Sequence, residues 1–191
     1  MRSREVGKGL GFIPVDGLEI TVTVTGLGVA SITVPTSLYA SSKGGAVKLG
    51  RLVVREGGGA EVALLEETAS FLAVLLGGGR PPAIPRVDLS GLTPFTVKVL
   101  EKTMEIPWGE LRSYSWLAGR AGAPGAARAA GGAVGRNPVP LLVPCHRVVR
   151  SDGTIGGFGL GTPCKRWLLS LEGVCDPALQ GGGAGEESKW R

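Results

Sequence analysis

Strict alternation of apolar and polar residues over Leu18-Glu-Ile-Thr-Val-Thr-Val-Thr25 predicts a strand with one buried face. Gly26-Leu-Gly28 turns the chain, Val29–Val34 reads as the second strand of a hairpin, and Val47–Arg55 as a third. The period then changes. From Glu61 to Leu76 the apolar residues Val62, Leu65, Ala69, Leu72 and Leu76 recur near helical spacing, with Glu66, Glu67 and Ser70 opposite, until Gly77-Gly-Gly79 ends the pattern. Residues 1–85 therefore read as a small α/β unit. They hold no histidine and no cysteine, and a structural role is expected of them.

Arg80–Asp88 is a proline-rich connector and the expected domain boundary. Thr93-Pro94 opens a helix running to about Ile106, with Phe95, Val99, Leu100 and Met104 toward a core, and Pro107-Trp-Gly109 breaks it. Two short helices, Ser113–Ala121 and Gly125–Val134, flank Gly122-Ala-Pro124, which is a helix-turn-helix pattern. Val139–Val143 reads as a short buried strand, with Cys145 and His146 at its end. Ile155–Gly161 reads as a glycine-rich loop fitted around a flat ligand; it lacks the glycine spacing of a dinucleotide site and the Lys-Ser/Thr of a P-loop. Thr162-Pro163 is expected to cap a last helix, Cys164–Glu172, which Gly173 ends. The fold class is thus an α/β N-terminal domain (1–85), then a mainly α C-terminal domain with a helix-turn-helix (86–176). A glycine-rich, disordered tail (177–191) follows.

Composition narrows the class. No apolar run approaches the ~20 residues of a membrane span, and the basic N-terminus lacks the apolar stretch of a signal peptide. Three cysteines do not make a disulfide framework, so a soluble protein with reduced thiols is expected, cytoplasmic or nucleoid-associated, or nuclear in a eukaryote; a monomer is expected. Cys164 and Cys175 flank the last helix, too far apart to bond unless the chain folds back. One histidine and three scattered cysteines make no zinc set, so neither metal nor cofactor is expected. Near-absence of Asn and Gln, with abundant Arg and Pro, fits a thermophile or a GC-rich genome.

The net charge of +5 is uneven: residues 1–85 hold eight basic and seven acidic residues, residues 86–176 eleven and seven. Between Leu111 and Cys164 stand Arg112, Arg120, Arg128, Arg136, Arg147 and Arg150, no lysine, and a single acid, Asp152. Such a patch suits phosphate, because the guanidinium fork meets two oxygens at once; it also suits a plain solvated face. The second short helix, Gly125-Ala-Ala-Arg-Ala-Ala-Gly-Gly-Ala-Val134, carries only small side chains besides Arg128. It cannot read many base edges. Two readings stay open: close approach to DNA without regard to sequence, or tight packing in a core.

Scarcity marks the chemistry. The chain's one histidine, His146, follows Cys145, and its one asparagine, Asn137, lies eight residues earlier. A cysteine is a strong nucleophile as the thiolate, which an imidazole can generate and a carboxylate can support. Glu172 is the first choice for that carboxylate and Asp152 the second. Neighbours on an extended strand point opposite ways, so Cys145 and His146 would need a turn or a bridging water to cooperate.

Asn137-Pro-Val-Pro140 and Pro144-Cys-His-Arg-Val148, with Gly173 closing the final helix, resemble the O6-alkylguanine-DNA alkyltransferase family over about Leu92–Gly173. The resemblance implies a ribonuclease-H-like N-terminal domain. It also implies repair of double-stranded DNA containing alkylated guanine, by one irreversible transfer of the alkyl group to Cys145. His146 would act through a water, Glu172 would stand behind it, and Asn137 would brace the turn. Tyr114 would press the phosphate round and bond the guanine. Arg128 would fill the gap in the duplex, beside Ala126, Ala127, Ala129 and Gly131 along the minor groove. Val148, Phe158 and Gly159 would line the base pocket. Many members carry Ser where this chain has Gly159. A non-catalytic protein that only binds alkylated bases is the alternative; relatives of that kind replace the reactive cysteine, which this chain keeps.

Overall fold

The computed structural model describes residues 8–15, 18–38, 47 and 49–174. The expectations for the N-terminal residues 1–7, for Cys175 and for the tail 177–191 lie outside the described residues. Four strands form an antiparallel sheet in the order β3-β2-β1-β4: β1 (Lys8–Val15), β2 (Leu18–Thr25), β3 (Gly28–Thr33) and β4 (Val53–Glu56). The β2-β3 hairpin follows the alternation, with Thr25 opposite Gly28 and Thr21 opposite Thr33. Ile20, Val22 and Val24 are its buried face.

β1 has no counterpart in the sequence reading, although it is a central strand. Its buried positions are Gly9, Gly11, Ile13 and Val15, so two glycines stand where an alternating pattern would show apolar residues. Packing explains them. A Cβ on Gly9 would lie 2.7 Å from Val24 Cγ2 and 2.9 Å from Glu61 Cβ, and one on Gly11 would lie 3.0 Å from Leu65 Cδ2. Helix α1 (Gly59–Leu76) sits that close to the sheet, burying Leu64, Leu65, Phe71, Leu72 and Leu76. The third strand expected over Val47–Arg55 shrinks to the exposed edge β4.

The second half is helical: α2 (Pro94–Met104), α3 (Tyr114–Arg120), α4 (Ala127–Gly135) and α5 (Thr162–Leu171). Thr93 Oγ1 accepts from the Thr96 amide at 3.4 Å, and Ser113 Oγ from the Trp116 amide at 3.1 Å. Each such cap contributes about 1 kcal/mol. Thr162 does not cap α5; it is the first helical residue, and Gly161 with φ 86° precedes it. On α2, Val99 and Leu100 are buried, but Phe95 and Met104 are only half-buried.

α4 packs tightly through one side of its small-residue surface and leaves the other exposed. Ala130 and Ala133 are sealed against α2 and α3, while Arg128, Ala129 and Gly132 face outward. A parallel pair, β5 (Arg112–Ser113) with β6 (Val148–Val149), ties the start of α3 to the segment that follows Cys145.

The strand expected over Val139–Val143 does not form. Val139, Leu141, Leu142 and Val143 are buried, but Val143 N donates back to Val139 O at 3.1 Å, and Leu141 takes φ 75°. Prolines at 138, 140 and 144 remove the amide donors that a ladder needs. The segment is a buried turn. One apolar core links Ile13, Val22 and Leu72 with Leu100, Leu142 and Trp167, on both sides of Arg80–Asp88. That connector is itself bonded to β3, Val29 N to Arg86 O at 2.9 Å and Asp88 N to Val29 O at 2.8 Å. No helix among the described residues is long and apolar enough to cross a membrane.

Candidate active site

The turn after Asn137 builds the site. Asn137 Oδ1 accepts from the Val139 amide at 3.0 Å, and its Nδ2 donates to Val143 O at 3.2 Å and to Cys145 Sγ at 3.3 Å. One side chain therefore closes the turn and reaches the thiol. Cys145–Arg147 is a single 3-10 turn, in which successive side chains splay by about a third of a circle. The three residues accordingly serve different surroundings.

Cys145 faces a cavity of about 920 Å³, shared with Tyr114, Arg128, Asn137, Phe158 and Gly159. Burial pushes its thiol pKa up, while the Asn137 bond and the charge of Lys165 pull it back. At rest it is a thiol that needs a proton acceptor.

His146 turns inward and is fully buried. Its Nε2 lies 2.7 Å from Glu172 Oε1. An ionised carboxylate only accepts, so Nε2 carries the proton and Nδ1 keeps a free lone pair. Nδ1 is the one buried side-chain nitrogen or oxygen without a partner among the described residues. Burial holds the imidazole pKa below its usual value, against the pull of Glu172. A neutral imidazole with a bare nitrogen is a base in waiting.

Arg147 secures the carboxylate. Its Nε and Nη2 each donate to Glu172 at 2.9 Å, and Nη1 donates to Ile106 O at 2.7 Å. The Gly109 amide adds a bond at 3.1 Å. Burial alone would raise the Glu172 pKa; the bonds from His146 and Arg147 outweigh it and hold the carboxyl well below its usual range. Asp152 takes no part: its Oδ1 accepts from Thr154 N and Oγ1, at 2.9 and 2.6 Å.

Lys165 escaped the sequence reading. It is fully buried, and its Nζ donates to Val148 O and Ile155 O at 2.5 Å and to Gly157 O at 3.4 Å. Burial lowers its pKa to about 8. It thereby pins the loop that carries Phe158 and Gly159 to the chain behind Cys145. The signal was available: Lys165 stands three and four residues before Leu168 and Leu169, on an apolar helix face. Tyr114 lies against that loop, its hydroxyl 3.5 Å from Gly157 O, with the Lys165 ammonium 6.0 Å from its ring centre. Ala127, Gly131 and Arg128 line the cavity's other wall, while Ala126 and Ala129 lie beside them at the start of α4.

Comparison with known proteins gives a consistent pattern. Residues 94–174 match the family described as 6-O-methylguanine DNA methyltransferase, DNA binding domain. The methylated-DNA–protein-cysteine methyltransferase of Rattus norvegicus is 55% identical over 82 residues, 42% of this chain and 39% of that protein. The protein of the same name from Methanothermobacter thermautotrophicus is 48% identical over 88 residues, 46% and 49% of the two chains. These matches span less than half the length of either curated relative. Structural similarity reaches further. An arginine-to-leucine variant of the Mycobacterium tuberculosis O6-methylguanine methyltransferase is 32% identical with a TM-score of 0.56, covering 84% of this chain and 93% of the other. Mycobacterium tuberculosis OGT in complex with DNA gives 28% and 0.61, over 81% and 86%.

Proposed function

The chain belongs to the methylated-DNA–protein-cysteine methyltransferase family, and we propose on that footing that it repairs double-stranded DNA by moving an alkyl group from guanine O6 to its own Cys145. The observation that carries this reading is the placement of Cys145 Sγ in the cavity, bonded to Asn137, with the His146–Glu172–Arg147 chain behind it.

The steps follow from those groups. The thiol proton passes, through a water, to His146 Nδ1, and Glu172 stabilises the imidazolium that results. The thiolate attacks the alkyl carbon; a sulfur–carbon bond forms as the carbon–O6 bond breaks. The guanine takes the electron pair and a proton relayed through water from the imidazolium, which returns His146 to its neutral form, while Tyr114 donates a hydrogen bond to the base. The product at Cys145 is a thioether, which water does not cleave, so each molecule acts once.

A base inside a duplex cannot reach a buried thiol, so the alkylated guanine leaves the stack, at a cost of a few kcal/mol. We read α3 and α4 as a helix-turn-helix that approaches through the minor groove. Arg128 is its exposed projecting residue, filling the gap, and Ala126, Ala127, Ala129 and Gly131 allow the close approach. Val148, Phe158 and Gly159 edge the base pocket. Residues 86–176 carry this chemistry, and we read residues 1–85 as a ribonuclease-H-like support.

Titrating the protein with excess duplex containing O6-methylguanine tests the reading. Repair is expected to stop at one guanine per chain. Continued turnover, or lesion binding without any repair, would overturn it.

A further inference from the structure

The mouth of the cavity holds a second arginine that the mechanism leaves unused. Arg150 directly follows β6 and lines the same cavity as Cys145, Tyr114 and Arg128. Its backbone is fixed, because its amide bonds Thr154 O at 3.0 Å and its carbonyl accepts from Gly153 N at 3.0 Å. Its side chain is exposed, and its guanidinium makes no hydrogen bond or ion pair among the described residues. The nearby carboxylate, Asp152, accepts two bonds from Thr154 and is attracted by the Arg150 charge without forming an ion pair with it.

Its position relative to Tyr114 matters most. Where a Cβ on Gly156 would stand, the Tyr114 hydroxyl is 3.4 Å away and Arg150 Cγ 3.6 Å away. The phenol and the arginine stem thus lie against the same buried glycine, and both side chains reach the cavity rim. A nucleotide whose base lies over Cys145 must leave its sugar and phosphates at that rim.

We infer that Arg150 grips a phosphate next to the extruded nucleotide, holding the backbone that Tyr114 turns. This rests on the alkyltransferase reading above. A planar fork with free donors pairs two phosphate oxygens at once, which an ammonium cannot do. The grip acts only in the extruded state, so it favours that state over the stacked one and raises the limiting rate rather than general DNA affinity.

The test compares single-turnover transfer at saturating protein for the native chain, Arg150→Gln and Arg150→Lys. Substrates are an O6-methylguanine duplex and the same duplex with a neutral methylphosphonate 5′ or 3′ of the lesion. Loss of a charged hydrogen bond is worth about tenfold or more. Arg150→Gln is expected to slow the all-phosphate duplex by about that factor, and Arg150→Lys to recover part of it. One of the two methylphosphonates should slow the native protein equally and the Gln variant no further. Equal rates for native and Arg150→Gln on the ordinary duplex would overturn the grip. So would losses that multiply at both neutral linkages. A native protein that takes no methyl group from the ordinary duplex would instead sink the alkyltransferase reading itself.

Discussion

Glu172 Oε1 lies 2.7 Å from His146 Nε2, and both side chains are sealed from solvent. The same carboxylate is held by Arg147, so a permanent cation fixes the group that orients the imidazole. Removing the charge with Glu172→Gln leaves Arg147 buried without its anion. Such breaks cost about 3–5 kcal/mol, and denaturant midpoints at pH 7 check this. The transfer rate is expected to fall at least tenfold.

The same pair sets an acid limit. The Glu172 pKa is about 2 in the fold against 4.5 for the free side chain. A depressed carboxylate gives stability that is complete above pH 4.5 and is lost as pH falls toward 2. The shift corresponds to about 3 kcal/mol. Urea midpoints between pH 6 and 2 should drop in the native protein, and the part due to this group should vanish in Glu172→Gln. Parallel curves for the two would contradict the assignment.

Asn137 supplies a donor to the thiol sulfur at 3.3 Å, which favours the thiolate. Asn137→Ala removes it, so the thiol pKa rises. Alkylation of Cys145 by a small thiol reagent, followed against pH, should show its inflection at higher pH than in the native chain. The variant also loses the bonds to Val139 and Val143, and stability should fall by about 1–3 kcal/mol.

Lys165→Met keeps the length of the stem and deletes three donations to backbone carbonyls. A buried acceptor left unpaired costs about 1–3 kcal/mol. Thermal unfolding should shift down accordingly. Transfer should slow as well, since these bonds anchor the segment that leads into Gly157, Phe158 and Gly159 of the cavity lining.

Gly159 has no atom within 4 Å of where a Cβ would stand, and its φ is outside the left-handed region. Gly159→Ser therefore fits without strain. Stability is expected to stay within about 0.5 kcal/mol, and transfer from O6-methylguanine to quicken as a hydroxyl joins the cavity rim. A slower rate would show that the open space at Gly159 is needed for the base.

The hairpin was legible through strict alternation and α1 through its near-helical apolar spacing, whereas α2 and α5 were marked by the Thr-Pro pair at each start and α4 by the glycine-proline turn before it. β1 was not, because close packing by α1 demands glycine at the positions that would have carried the pattern. Val139–Val143 misled for the opposite reason: its residues are as apolar as a buried strand, but three prolines withhold the donors. The chemical pairing of Cys145, His146, Glu172 and Asn137 stood out through scarcity. Lys165 did not, although its spacing from Leu168 and Leu169 places it on the buried face of α5. The turn at Cys145–Arg147 lessens the divergence of Cys145 and His146 from the half circle of a strand to about a third, so the two still need a bridging water to cooperate.

Alkyl transfer leaves Cys145 as a thioether, and mass spectrometry reads that directly. The protein is mixed with a duplex carrying one O6-methylguanine, its intact mass is measured, and the modified peptide is mapped. A gain of a single methyl group per chain, located on Cys145, is the predicted result. An unchanged mass with tight lesion binding, or a methyl group on any other residue, would contradict alkyl transfer to Cys145.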